Sequence, residues 1–367
     1  MATGGFTSIR FISSGDEYFD SLVSEINQAQ TEIQFESYIF DFDVVGVRVL
    51  AALAEAAKRG VSVRLLIDGI GSFASISSIQ KFCRENGIQF RVYRAIPYIN
   101  SIVRHFFRFL KTANRRNHRK LMIVDRARAF VASFNISKVH SEKEVGKAAW
   151  KDLALLVEGP EVTSISALAN TYWKRFPFSI MKRRQRLNFE RIRSTHSIAS
   201  RRAAKKQLLT QMSEASKRVY ILTPYFVPSR KFVRALIAIA KRKINLEIIL
   251  PDRSDFLIVD LAGRHVVRRL LKYNIHVSQY TPSFMHAKAV IVDDWATLGS
   301  HNFNHRSLVH DLEIDVILKT PTELAPLENY WNHLKENSRP LTKVDIDKDS
   351  FFTRMLCRFC FWFKNWL

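Results

Sequence analysis

Two stretches of the chain, NHRKLMIVDRARAFVASFN from Asn117 and MHAKAVIVDDWATLGSHN from Met285, repeat one arrangement: His-x-Lys, four residues, Asp, then Ser-x-Asn. In extended backbone, side chains two apart point the same way, so His118 with Lys120, and His286 with Lys288, each bring an imidazole and a cation to one face. An imidazole titrates near pH 6.5, and two of them suit a two-step displacement at phosphorus. One attacks, while the other protonates the leaving alcohol and later activates the acceptor. The returning strand of each copy brings back Ser133 and Asn135, or Ser300 and Asn302, and these hydroxyl and amide groups complete a cradle with the lysines for phosphoryl oxygens. Lysine and asparagine then supply the charge stabilisation that a metal supplies elsewhere, so no metal and no cofactor is expected. Asp152 in WKDLALLVEG and Glu313 in HDLEIDVIL stand at matching places, where a carboxylate can hold an imidazole in one tautomer. Asp125 and Asp293 fall on the opposite face and read as structural, bonding the turn that follows them.

These groups must be carried by a repeated framework. TEIQFESYIFDFD around Tyr38 answers RVYILTPYFVPS around Tyr225, and VSVRLLIDG at Asp68 answers LEIILPD at Asp252. Helical patterns, VVGVRVLAALAEAAKRG and SRKFVRALIAIAKRK, separate them. The recurring order of aromatic strand, helix, Asp-tipped strand and His-x-Lys strand is the duplication of an α/β unit. Tyr38 and Tyr225 close corresponding strands and join Ser133 and Ser300 as candidates for substrate contact. The halves divide as residues 1–178 and 179–350, with a C-terminal segment, 351–367. Two segments break the repeat. Between Tyr93 and His118 lies a basic, aromatic insert, which reads either as a contact for an anionic surface or as an amphipathic helix packed on the fold. The stretch MKRRQRLNFERIRSTHSIASRRAAKKQ reads as a solvated linker or exposed helix.

Composition narrows the partners. Lys and Arg outnumber Asp and Glu by 57 to 34, a formal charge of +23, which points to an anionic partner, with phosphate on nucleic acid or on lipid headgroups as the obvious anion. The three cysteines, with Cys357 and Cys360 as a lone pair, make neither a zinc site nor a disulfide framework and fit a reducing compartment. No signal peptide and no run long enough to span a bilayer is read, so the protein is expected to be soluble or peripheral. The tail FFTRMLCRFCFWFKNWL sets aromatics and leucines around Arg354, Arg358 and Lys364, which suits either a helix lying among headgroups or one docked on the core.

The doubled His-x-Lys-x4-Asp with its trailing Ser-x-Asn resembles the phospholipase D superfamily over nearly the whole chain. ESYIFDFD, NHRKLMIVD, WKDLALLVEGP, TPYFVPS, FMHAKAVIVDD and GSHNFNHRSLVHDLE are similar to its bacterial cardiolipin synthase branch. The resemblance implies two similar α/β/α halves, each a mixed sheet flanked by helices, with one site on the pseudo-twofold axis and a phosphohistidine intermediate. It implies a catalytic set of His118, Lys120, Asn135, His286, Lys288 and Asn302, with Asp152 and Glu313 orienting, His118 as nucleophile and His286 as acid and base. The expected reaction is transfer of a phosphatidyl group between phospholipids, two phosphatidylglycerols giving cardiolipin and glycerol, at the cytoplasmic side of a bacterial-type cell membrane. Hydrolysis of a phospholipid, or nuclease action on nucleic acid, is the alternative. The chain departs from the family at Ala132, where a glycine is usual, and in ISKVHSEKEVGKAAW after Asn135, which lacks the usual acidic pattern.

Overall fold

The computed structural model describes residues 5–95, 115–173 and 189–363. The first half runs β1 (Ser8–Ile12), α1 (Gly15–Gln28), β2 (Glu32–Ser37), α2 (Val44–Lys58), β3 (Ser62–Asp68), α3 (Ile76–Glu85), β4 (Gln89–Tyr93), β5 (Leu121–Val124), β6 (Arg128–Ala132), β7 (Ala154–Glu158) and α4 (Glu161–Trp173). The second runs β8 (Ile192–Ser194), α5 (Ile198–Glu214), β9 (Arg218–Leu222), α6 (Arg230–Lys241), β10 (Asn245–Pro251), α7 (Leu257–Leu271), β11 (His276–Tyr280), β12 (Ala289–Val292), β13 (Trp295–Gly299), β14 (Ile314–Leu318), α8 (Pro321–Glu336) and β15 (Ser338–Pro340). A last helix, α9 (Phe351–Trp362), follows. The insert singled out between Tyr93 and His118 falls almost wholly outside the described residues.

The sheets repeat one topology. Their strand orders are β1-β7-β6-β5-β2-β3-β4 and, with β15 added at one edge, β15-β11-β10-β9-β12-β13-β14-β8. In each, three strands pair in parallel, β2-β3-β4 or β9-β10-β11, while the strands around the His-x-Lys hairpin pair antiparallel. The apolar runs Leu121–Val124 and Ala289–Val292 are buried on both faces because each sheet is covered twice. Outer helices α1, α2 and α3 cover the first sheet, and α5, α6 and α7 the second. Between the sheets one apolar layer draws Leu121, Ile123, Val131, Ala289, Ile291 and Leu298 together with Leu168 of α4 and Trp331 of α8. That shared layer fixes the halves against each other.

Two expectations differ from the structure, and one departure from the family is explained by it. The segment after 188 is not solvated throughout: Arg191 and Arg193 are buried, with Arg193 paired to Asp315 at 2.7 Å and Arg191 to Glu323 at 2.6 Å as β8 adds to β14. Its missing apolar periodicity is explained by these ion pairs, which let arginine occupy a strand of the sheet. The residue at Ala132 differs from its counterpart Gly299 because of what lies opposite. A Cβ on Gly299 would come within 2.4 Å of the Ile314 carbonyl oxygen and 2.7 Å of Asp315, whereas Ala132 faces Ala154. Asp125 and Asp293 do not hold the turns that follow them. Each sits at positive φ, 53° and 50°, and accepts backbone N–H groups entering the neighbouring strand, from Gln30, Thr31 and Glu32 at 2.8–3.0 Å or from Ser216, Lys217 and Arg218 at 2.7–2.8 Å.

Burial pushes the Asp293 carboxyl up, but the amides it accepts outweigh burial and hold it below its ordinary value. A carboxylate with a lowered folded pKa stabilises above the unfolded value and loses that contribution as pH falls. Asp293→Ala is therefore expected to lower unfolding free energy at neutral pH by roughly 1 kcal/mol, screened by its partial exposure, with the difference from the parent shrinking below about pH 4. Urea titrations at both pH values check this, and an equal difference at pH 3 would contradict it.

Candidate active site

The segments carrying the histidines are extended chain just before β5 and β12 rather than regular strand. Each is tied to the other half by backbone. His118 N–H donates to Leu312 O at 3.0 Å and Leu312 N–H to Arg116 O at 2.9 Å; His286 N–H donates to Lys151 O at 2.7 Å and Lys151 N–H to Phe284 O at 2.9 Å. The residue after each of these anchors is the carboxylate of the opposite half. His118 Nδ1 lies 3.0 Å from Glu313 Oε2 and 3.0 Å from Ser300 O, and His286 Nδ1 lies 2.6 Å from Asp152 Oδ2. Carboxylates and carbonyls only accept, so each Nδ1 carries its proton and each Nε2 keeps a lone pair. The pairing is crossed between the halves.

The lysines stand beside these imidazoles with almost no exposure, 1% for each. Lys120 Nζ donates to His118 O at 2.9 Å, and Lys288 Nζ donates to His286 O at 2.7 Å and lies 3.1 Å from His286 Nε2. Burial pushes Lys120 down to about 7, with Lys288 adding repulsion, and pushes Lys288 down to about 8. Burial and both lysines hold His118 well below 6.5, and burial with Lys288 brings His286 down to about 3, so both imidazoles rest neutral. The carboxylates differ. Burial raises both, but His286 and Lys288 outweigh it at Asp152 and hold that carboxyl well below its ordinary value, whereas Glu313 stays raised.

The other sequence-derived residues divide by place. Tyr38 lies 4.8 Å from His118, ring to ring, with Lys120 Nζ 5.1 Å from its centroid; Tyr225 lies 6.3 Å from His286 and donates its hydroxyl to Asp255 at 2.8 Å. Asn135 Oδ1 accepts from Ile39 N–H at 3.4 Å, and Asn302 Oδ1 is buried with no hydrogen-bond partner among the described residues. Ser133 and Ser300, read from the sequence as substrate contacts, have their hydroxyls engaged within the protein. Both are fully buried and turn their hydroxyls onto the orienting carboxylates, Ser133 onto Asp152 and Ser300 onto Glu313 at 2.6 Å. Asp125 and Asp293 lie at the far ends of β5 and β12, away from the histidines.

Sequence reading missed three features. His140 is buried, accepts Asn135 N–H at 3.3 Å and approaches Asp152 at 3.8 Å. With Asp152 and His286 it places ligand atoms within 4.8 Å of one another, the one group among the described residues able to hold a metal ion. The Lys288 ammonium already puts a positive charge against the His286 ring there. Arg116 pairs with buried Asp68 at 2.7 Å, and Arg119 with Glu36 at 2.7 Å. The run of alternating basic and polar residues before Leu121 was the available signal for those pairs; His140 had none beyond being a histidine.

This doubled arrangement coincides with a known family. The family model described as "Cardiolipin synthase, PLD-like domain" matches residues 22–163 and again 208–335. The chain belongs to the phospholipase D superfamily. Cardiolipin synthase 1 of Bacillus cereus is 31% identical over 95% of this chain and 70% of its own length, and cardiolipin synthase B of Salmonella typhi is 30% identical over 86% and 77%. The crystal structure of phosphatidylserine synthase from Haemophilus influenzae superposes with a TM-score of 0.73 at 15% identity, covering 98% of this chain and 95% of that one, and so shares the fold. The protein is thus a phospholipase D-family enzyme, built as two α/β/α halves. The family match ends at residue 335, so α9 of this family member lies beyond it.

The two buried lysines beside the histidines, pushed down to about 7 and about 8, give the site a charge that rising pH removes. If both charges are needed, kcat/KM is expected to fall from about pH 7 upward, well before an ordinary lysine near 10.4 titrates. A pH–rate profile flat to about pH 10 would contradict this.

Proposed function

We propose that the protein transfers a phosphatidyl group from one glycerophospholipid to a hydroxyl of another, with two phosphatidylglycerols giving cardiolipin and glycerol. The observation that carries this reading is the crossed pair of imidazoles, each with its Nδ1 on a carboxylate of the opposite half and a buried lysine beside it. The names of the relatives, cardiolipin synthases, point to the same substrates.

His286 first takes up a proton at Nε2 as the phosphodiester anion enters beside it; His118 Nε2 then attacks phosphorus, and the bond to the departing glycerol oxygen breaks as His286 returns that proton to it. The phosphatidyl group is then held on His118 Nε2. His286, neutral again, takes the proton from the acceptor's glycerol hydroxyl, whose oxygen displaces His118 and forms the second phosphodiester. Lys120, Lys288, Asn135 and Asn302 bind the non-bridging oxygens through both steps. The difference between the carboxylates supports this division: an ionised Asp152 at 2.6 Å raises the proton affinity of His286 against burial and Lys288, which favours His286 as the group that gains and returns a proton. Tyr38 and Tyr225 flank the reacting groups as substrate walls.

The protein acts as a peripheral enzyme at the cytoplasmic face of the cell membrane, on anionic phospholipid. No helix among the described residues is long and apolar enough to cross a membrane, and the +23 charge favours an anionic leaflet. Pure protein incubated with phosphatidylglycerol vesicles is expected to give cardiolipin and glycerol by mass spectrometry. His118→Ala and His286→Ala should each reduce turnover by at least about 10³-fold, and EDTA should leave it unchanged. Phosphatidic acid as the sole lipid product, or cleavage of plasmid DNA without cardiolipin, would replace this reading with hydrolysis or nuclease action.

A further inference from the structure

Resting on that reading, we propose that the start of α7 and the outward face of α9 form one lipid-docking ridge that sets the mouth of the active site on an anionic leaflet. Phe256, Leu257 and Ile258 are 58%, 70% and 54% exposed. On α9, Phe352 and Trp362 reach 80% and 76%, and Phe359 57%. Such side chains belong in a core or at an interface.

The two elements are one surface because α9 is docked along α7. Its inner face buries Cys357 and Cys360, and Cys360 packs with Val227 and Ala262 against Val259, Leu261 and Phe361. The Phe361 ring lies 5.0 Å from His265. Asp349, just before α9, pairs with Arg268 at 2.5 Å and Arg264 at 3.6 Å, one to two turns further along α7. The helices therefore run antiparallel, and the Trp362 end of α9 lies beside the first turns of α7. The tail is docked on the protein, as one of the two readings of its sequence expected, and its opposite face stays apolar and exposed.

The ridge leads to the chemistry. Asp255 accepts the Tyr225 hydroxyl at 2.8 Å, the Phe256 ring is 6.0 Å from Tyr225, and Tyr225 is 6.3 Å from His286. The first half repeats the motif at smaller scale: Ser72 bonds the Tyr38 carbonyl at 3.0 Å, and the next residue, Phe73, is 62% exposed. Apolar side chains thus stand on both sides of the tyrosines that flank the histidines, where acyl chains of a bound phospholipid would leave the site.

Charge selects the occupant. Arg354 and Arg358 are exposed on α9, Arg253 is exposed before α7, and no Asp or Glu occurs from Ser350 to Leu367. Arginines beside aromatics match the headgroup region of an anionic bilayer. A second copy of the chain on the same face would set arginine against arginine, which opposes an isologous contact.

The test uses the whole chain with two double variants at exposed positions, Leu257→Ser with Ile258→Ser, and Phe352→Ser with Phe359→Ser. Sedimentation with phosphatidylglycerol vesicles in high salt, which screens the arginines, isolates the apolar contribution. Each double variant is expected to bind vesicles roughly tenfold more weakly and to form correspondingly less product on them, with unchanged turnover of monomeric short-chain phosphatidylglycerol. Variants that bind vesicles as the parent does would overturn the proposal. So would a parent that is a dimer by light scattering and becomes monomeric in the variants without loss of vesicle binding. Ridge-dependent vesicle binding by a parent that forms no product from either lipid would leave the docking surface standing and defeat the phosphatidyl-transfer reading instead.

Discussion

The crossed bonds between His118 and Glu313 and between His286 and Asp152 are the constraint on which the rest of the molecule depends. Each half supplies the imidazole for one pair and the carboxylate for the other, so neither half alone contains an oriented histidine. The backbone bonds at Leu312 and Lys151 hold the crossing in register, and the serines at 133 and 300 fix the carboxylates from behind. A duplicated chain thereby acquires a single site, and the common apolar layer between the sheets keeps the halves from separating around it.

Burial of so much charge in one place has a consequence for chemistry. Two ammonium groups that are nearly inaccessible to water repel one another and lose proton affinity, and they hold the neighbouring imidazoles neutral. Under the proposed function, a phosphodiester anion entering the site would relieve that repulsion and so couple substrate binding to protonation. The partners of Arg116, Arg119 and Arg193 keep the surrounding arginines from adding to the repulsion.

Much of this was legible in the sequence because duplication turns a weak motif into a strong one. The paired His-x-Lys, the matching Asp152 and Glu313 and the strand-helix alternation predicted an α/β fold with two similar halves, and the family match agrees. What could not be read was direction. Spacing places a serine near a histidine but does not say that its hydroxyl turns to a carboxylate, and it does not say that the carboxylates cross between halves, because that is set by the packing of one half on the other. Asp125 and Asp293 illustrate the same limit, since their partners lie more than seventy residues away in sequence and only the sheet brings them near. Buried Arg191 and Arg193 looked solvated because a strand that buries ion pairs has no apolar period.

The central claim is that two crossed histidines divide one displacement between them, with His118 forming the covalent bond. Rapid acid quench during turnover of phosphatidylglycerol labelled in its phosphate, followed by peptide mapping, tests it directly. Label is expected on His118 and is lost on chase with unlabelled acceptor. Label on His286, or on neither histidine while product forms, would contradict it.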